Sequence, residues 1–204
     1  FEQFEPIWHR VKHTGYGEAV RLLAKHIYGM DELTPDAIAK AQPIADAMYK
    51  PGNRYRILKE KGNLDHVQID NFVWACEPGP YGPDFFLYDI GMPEFIQGKP
   101  KLDLIESQLG LKVRSLDDLM GVMREIFSRW GKRAIAVKSQ HAYDRTLAWK
   151  PRSDSDAAAA LKKYIDGKEM AVEDHLCLGD WCWARVTELT IEYDLPLKID
   201  TGYY

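Results

Sequence analysis

Apolar residues recur with a helical spacing in the first part of the chain. Residues 14–29, 33–52 and 53–62 show this spacing, and each stretch ends at a glycine. Thr34 followed by proline is a typical helix start, because the threonine side chain caps free backbone N–H groups and proline fits the first helical position. The pattern predicts a helical segment over residues 1–63.

From residue 64 onward, short apolar runs alternate with helical patterns. Ser115 and Asp118 have the spacing of a capping box at the start of the clearest helix. A loop rich in proline and glycine is predicted at residues 77–84. Strands are predicted at residues 64–72, 85–91, 133–140 and 195–203. Helices are predicted at residues 115–132, 152–168 and 172–193.

Strands that alternate with helices imply crossover connections and a mainly parallel sheet, so the predicted class is α/β. An open doubly wound sheet and a (β/α)8 barrel of the TIM type both have this alternation. A barrel needs eight strands and about 250 residues. With four predicted strands, the chain alone cannot close one.

Composition excludes several functions. The 204 residues are 46% apolar and 28% charged, with a formal net charge of -4. The charge predicts no nucleic-acid partner, and no apolar run reaches the ~18 residues of a membrane span. Three cysteines suit reduced thiols in a cytoplasm better than a disulfide framework. No nucleotide-binding glycine motif occurs, so the sequence gives no support for nucleotide chemistry.

Polar residues two positions apart end three of the predicted strands, and side chains at this spacing point the same way. Because carboxyl ends of parallel strands meet at one edge, these residues predict a site there. A strand turning polar as it enters a loop explains Asp70 and Asp89 equally well. This simple explanation fits Lys138 less well, because the side chain of Lys138 is expected to point inward. The residues are Gln68 with Asp70, Lys138 with Gln140, and Lys198 with Asp200.

Two motifs resemble the amidohydrolase superfamily, in the amidohydrolase 2 branch related to uronate isomerases. The segment "RAIAVKSQHAYDRTL" is similar to the family's fourth strand, which commonly ends in lysine followed by "AY.R.L". The segment "LPLKIDTGYY" is similar to its fifth strand, usually "LP.QIHTG.G". With the upstream "MYKPGNRYRILKEKGNLDHVQID", the resemblance extends from about residue 20 to Tyr204.

The resemblance implies a single, incomplete barrel domain over residues 1–204. Residues 1–63 would be a helical N-terminal insertion, and residues 64–204 would hold the second to fifth strands with helices outside them. The family's first strand, with a His-x-His metal motif, has no counterpart in this chain, nor have its last three strands. We therefore expect a piece of a larger enzyme.

The resemblance also implies a divalent metal, Zn²⁺ with Mn²⁺ as the alternative. Asp200 stands where the family usually has a metal-binding histidine, and Lys138 would be a second ligand if carbamylated, or else a cation that steers the substrate. Lys198, facing the same way as Asp200, is an alternative partner that would argue against a metal. The expected substrate-binding residues are Gln140, His141, Tyr143 and Arg145. For Arg145, a surface salt bridge with Asp144 or a neighbour is an equal alternative.

These implications lead to a metal-dependent hydrolase that acts on a small amide, lactone or carboxylated substrate through a metal-activated water. Decarboxylation and aldose–ketose isomerisation occur on the same scaffold and stay open. A non-catalytic relative or subunit without a working metal site is the competing hypothesis. We also expect a homo-oligomer, because barrels of this kind often associate.

Overall fold

A computed structural model describes residues 3–70, 74–77 and 84–202. Its contacts divide the chain into two units, the first ending at Asp65 and the second beginning at His66. This division lies close to the predicted end of the helical segment. That both units belong to one barrel domain stays a prediction.

The first unit is helical. Thr14 and Thr34 each cap a helix by accepting a hydrogen bond from a backbone N–H three residues later, at 3.1 Å and 3.2 Å. These are the starts that a threonine next to a helix-forming stretch predicts. Its elements are α1 (Glu5–Val11), α2 (Gly15–Tyr28), α3 (Pro35–Met48), α4 (Asn53–Arg56) and a π-helical turn (Ile57–Lys61).

The second unit alternates between strands and helices. Its strands in the described residues are β1 (Val67–Ile69), β2 (Phe86–Gly91), β3 (Ala136–Ser139) and β4 (Leu197–Ile199). Its helices are α5 (Pro93–Ile96), α6 (Leu102–Leu109), α7 (Leu116–Trp130), α8 (Asp154–Ile165) and α9 (Val172–Glu192), with a 3₁₀ turn at His141–Tyr143.

The four strands form one parallel sheet in the order β1-β2-β3-β4. The predicted α/β class with four parallel strands is therefore confirmed. Right-handed crossovers that always step in the same direction place their helices on the same side of the sheet. In this order the helices pack on one face of the sheet, and the other face makes different contacts.

The core lies on the helix-facing side. Ile90 of β2 and Val137 of β3 have no exposed surface there, and they belong to the same apolar cluster as the buried side chains of α5, α7 and α9. Gly179 lets α9 approach α5 closely, since a Cβ atom at this position would lie 2.3 Å from the carbonyl oxygen of Ile96. Ile96 is fully buried as well, so this close contact fixes α5 directly after β2.

The predicted elements differ from the structure mainly at their ends. Each predicted strand is longer than the observed one, and residues 71–72, 78–83 and 203 of the predicted segments lie outside the described residues. Helix α1 lies within the predicted helical segment over residues 1–63, whereas the pattern missed α5 and α6. Of these, α6 could have been found, because Ile105 and Leu109 lie on its buried side.

Among the described helices, none combines the length and apolar character needed to cross a membrane.

Candidate active site

One face of the sheet carries a set of polar side chains. The register pairs Gln68 with Leu87, Asp89 with Ala136, and Lys138 with Lys198. Because laterally paired residues of a sheet share a face and side chains alternate along a strand, one face collects polar residues from all four strands. We call this set the polar face: Gln68, Asp70, Asp89, Lys138, Gln140, Lys198 and Asp200.

Lys138 lies between two carboxylates of the polar face. Its Nζ is 3.4 Å from Asp70 Oδ2 and 3.8 Å from Asp200 Oδ2, and its side chain is only 16% exposed. The amide of Gln140 donates to the same Asp70 oxygen. The sequence predicted that neighbouring parallel strands bring Lys138 and Asp200 together, and this adjacency is confirmed.

A second lysine pairs with a buried carboxylate. Lys198 Nζ forms an ion pair with Asp89 and donates to Gln68 Oε1 at 3.0 Å. The expected alternative, a pair between Lys198 and Asp200, is not what the structure has, because Lys198 reaches across the sheet towards β2. Asp89 is fully buried, and its Oδ1 has no hydrogen-bond partner among the described residues. Lys198 compensates the negative charge of Asp89, which would otherwise be costly to bury.

An open cleft of about 550 Å³ adjoins the polar face at the carboxyl edge of the sheet. It is lined by three of the predicted site residues, Gln140, Tyr143 and Asp200. The remaining lining residues come from the segment after β2 and from the turn after β3. These are Pro93, Glu94, Gln97, Lys101 and Asp144. The cleft therefore leaves part of the predicted site open to solvent.

His141 does not line this cleft, which corrects its prediction as a substrate-binding residue. Its side chain has no exposed surface, its Nδ1 lies 2.6 Å from Ser139 Oγ, and its ring stands edge-on to Trp183 with 4.2 Å between centroids. Burial lowers the pKa of His141 to about 4, and the nearby positive charge of Arg145 adds to this shift while Asp180 opposes it. The imidazole is therefore neutral at pH 7.

Arg145 is held inside the structure. Its side chain is 6% exposed, and its guanidinium donates to Asp180 at 2.6 Å and to the carbonyl of Ile96 at 3.1 Å. Asp180 also accepts from Arg152 at 3.0 Å. The expected alternative was a surface salt bridge with Asp144 or a neighbour, whereas the observed ion pair is buried and joins Arg145 to Asp180 of α9. An arginine with its donors occupied in this way supports the fold and leaves substrate binding to other residues.

The sequence underrated Asp70, Asp89 and Lys198. All three contact other members of the polar face. For Asp70 and Lys198 the signal is the spacing of two at the strand ends, which predicts a shared face without telling which carboxylate pairs with which lysine.

The donor set on the polar face does not by itself fit the expected metal. Catalytic zinc sites use three protein ligands and keep one open position. Asp70 and Asp200 offer two carboxylates, and the positive charge between them is that of Lys138. Within residues 3–70, 74–77 and 84–202, no group of three histidine, cysteine or acidic side chains is arranged to hold a metal ion.

A scan against models of protein families found no match, and a search of curated proteins found none either.

Proposed function

We propose that the chain is part of a hydrolase of the amidohydrolase type, built on a (β/α)8 barrel, that acts on a small amide, lactone or carboxylated substrate. The observation that carries this proposal is the position of Lys138, held between Asp70 and Asp200 beside an open cleft. Partly buried ionisable groups that converge at the carboxyl edge of a parallel sheet are typical of active sites.

The strand order supports a barrel over a doubly wound sheet. A doubly wound sheet reverses its strand order at a switch point and carries helices on both faces. Here the order is sequential, and the face opposite the core carries seven polar residues instead of an apolar helix-binding surface. In a barrel this polar face would line the interior.

The arrangement of Lys138 and Asp200 suits addition of water to a carbonyl group. Asp200 takes a proton from the attacking water as the water oxygen bonds to the carbonyl carbon. The electron pair of the carbonyl moves to its oxygen, and the Lys138 ammonium stabilises this negative charge. When the intermediate collapses, the bond to the amine or alkoxide breaks, and Asp200 returns its proton to that leaving group. Asp70 pairs with Lys138 and holds its side chain in place.

The metal-dependent form of the reaction is a second candidate. Asp70 and Asp200 favour this form, because their carboxylates are hard oxygen donors and lie on either side of Lys138 Nζ. It requires that Lys138 lose its positive charge, for example by forming a carbamate with CO₂, and that further ligands come from beyond these two residues. Zn²⁺, or else Mn²⁺, would be the metal.

The test combines metal analysis with turnover of a panel of small amides, lactones and carboxylated compounds, with and without added Zn²⁺ or Mn²⁺. We expect Lys138→Met and Asp200→Asn each to lower kcat/KM by roughly a hundredfold or more. The matched control is Lys112→Met, which removes an exposed lysine paired with Glu106 at 2.8 Å, on the surface.

Each outcome separates the hypotheses. Turnover without bound metal supports the direct mechanism, and about one equivalent of metal that is lost in Asp200→Asn supports the metal-dependent form. Release of CO₂ or interconversion of an aldose and a ketose would replace hydrolysis with a decarboxylase or isomerase. A folded protein without metal and without turnover of any compound would favour the non-catalytic relative.

A further inference from the structure

The first unit contains a pocket of about 290 Å³ that is lined by its own residues. This volume is at the lower end of the range for pockets that hold small ligands, roughly 300–1,000 Å³. One wall is the end of α3, a second is α4 with the π-helical turn, and a third is Ile27 of α2. The pocket therefore lies where three helical elements meet.

Five of the nine residues that line the pocket are apolar. They are Ile27, Ile44, Ala47, Met48 and Ile57. None of the five is fully buried, so water contacts this concave apolar surface. An apolar group that replaces the water gains free energy roughly in proportion to the apolar area it covers. The pocket therefore favours a ligand with an apolar body.

Local hydrogen bonds fix the wall that contains the π-helical turn. The Asn53 side chain donates to the carbonyl of Ala47, which ties the start of α4 to the end of α3. The N–H of Gly62 donates at 2.8 Å to the carbonyl of Ile57, and this spacing of five residues defines a π-helix. Turns of this kind are rare and frequently occur at functional sites. The shape of the pocket is thus set by contacts within the chain.

The chain that forms this wall is basic. Residues 50–61 contain five lysines and arginines and one acidic residue, Glu60. Arg56 and Lys61 line the pocket together with Glu60, and none of the three forms an ion pair with another described residue. Because two cations face one carboxylate, the lining attracts an anion. Glu60 at the same time disfavours a ligand with a second negative charge.

From these features we infer that the pocket binds a small monocarboxylate with an apolar body. Arg56 and Lys61 bind the carboxylate, and a guanidinium suits it because its parallel N–H groups can reach both oxygens. The apolar body lies against the apolar lining. A protonated amine meets two like charges, and a neutral alcohol lacks the attraction of both. The inference concerns residues of the first unit alone, so it does not depend on the proposed hydrolase.

The test measures direct binding of hexanoate to the whole chain by calorimetry or ligand-observed NMR at pH 7. Hexylamine and 1-hexanol share the alkyl chain of hexanoate, and acetate shares its carboxylate. We expect hexanoate to bind, and each of the other three to bind more weakly by roughly fivefold or more. Absence of hexanoate binding, or equal binding of hexanoate and hexylamine, would overturn the inference.

Variants of the charged residues give effects of opposite sign. Arg56→Gln and Lys61→Gln each remove one cation, and each should weaken hexanoate binding by roughly three- to tenfold. Glu60→Gln removes the opposing charge and should tighten binding by roughly twofold. Arg54→Gln is the matched control, because Arg54 is also an exposed arginine of α4 but does not line the pocket. This control should bind hexanoate like the parent chain.

A second substitution separates binding from a structural role. Arg56→Lys keeps the positive charge and should retain part of the binding that Arg56→Gln loses, while melting curves identify any variant that misfolds. A loss in Arg54→Gln as large as that in Arg56→Gln would show unspecific attraction to the basic segment and contradict the inference. Hexanoate binding that no pocket variant changes would place the ligand elsewhere and contradict it as well.

Discussion

The burial of His141 makes the stability of the second unit depend on pH in a defined window. In the unfolded chain the imidazole titrates at its ordinary pKa of 6.5, whereas in the folded protein burial lowers this pKa to about 4. Between these values the unfolded chain binds more protons than the folded one. The free energy of unfolding therefore falls as the pH falls from 6.5 towards 4.

The magnitude follows from the shift. One pKa unit corresponds to about 1.4 kcal/mol, so the full loss is about 3 kcal/mol, of which about 2 kcal/mol is reached at pH 5. The free energy of unfolding of a typical domain is roughly 5–15 kcal/mol, so this loss is a large part of it. The same side chain on an exposed loop, as a substrate-binding role requires, would produce almost no loss.

The assay is denaturation by guanidinium chloride at a series of pH values, followed by tryptophan fluorescence, since Trp183 packs on the His141 ring. Carboxylates also titrate in this range, so the measured quantity is the difference between the parent chain and His141→Phe. The variant should lack the 3 kcal/mol component, while the exposed His26→Gln control should follow the parent chain. A difference that stays constant between pH 7 and pH 4 would refute the argument from burial.

Three further predictions concern the fold around the site. Asp180→Asn leaves the buried Arg145 guanidinium without its carboxylate, while Arg152 keeps its pair with Glu173, and should lower the free energy of unfolding by about 3–5 kcal/mol in chemical denaturation; a loss below about 1 kcal/mol would show that the pair is not structurally important. Gly179→Ala places a methyl group against the carbonyl of Ile96, and should destabilise by about 1–3 kcal/mol, measured in the same way, whereas an unchanged midpoint would contradict this close contact. Burial raises the pKa of Cys76 to about 12, so its thiol should resist alkylation at pH 8 until the chain unfolds, and rapid labelling of the native protein would show that it is accessible.

The helices and the α/β class followed from local patterns. Ser115 caps α7 by accepting from the N–H of Asp118 at 3.1 Å, and Thr34 caps α3 as its place before a proline predicts. Such caps depend on neighbours three residues apart, and a sequence contains that information directly. The shared face of Lys138 and Asp200 was equally accessible, because alternation along a strand and the common edge of parallel strands are regular properties.

Which charges meet was decided by the tertiary structure alone. The sequence offered Lys198 as a partner for Asp200, but the lysine reaches Asp89 on β2, and Asp200 pairs with Lys138. Long side chains choose partners by distance across the sheet, and the spacing along one strand says nothing about that distance.

The sequence by itself determined the alternation of strands and helices and the edge at which the polar residues gather, because both depend on short-range periodicity. The tertiary structure decided that His141 and Arg145 lie in the interior and that Glu94 lines the cleft. The direction of a side chain in a loop or a short turn depends on which helix packs against it. Here α9, distant in sequence, supplies Trp183 and Asp180 and so draws both residues away from the cleft.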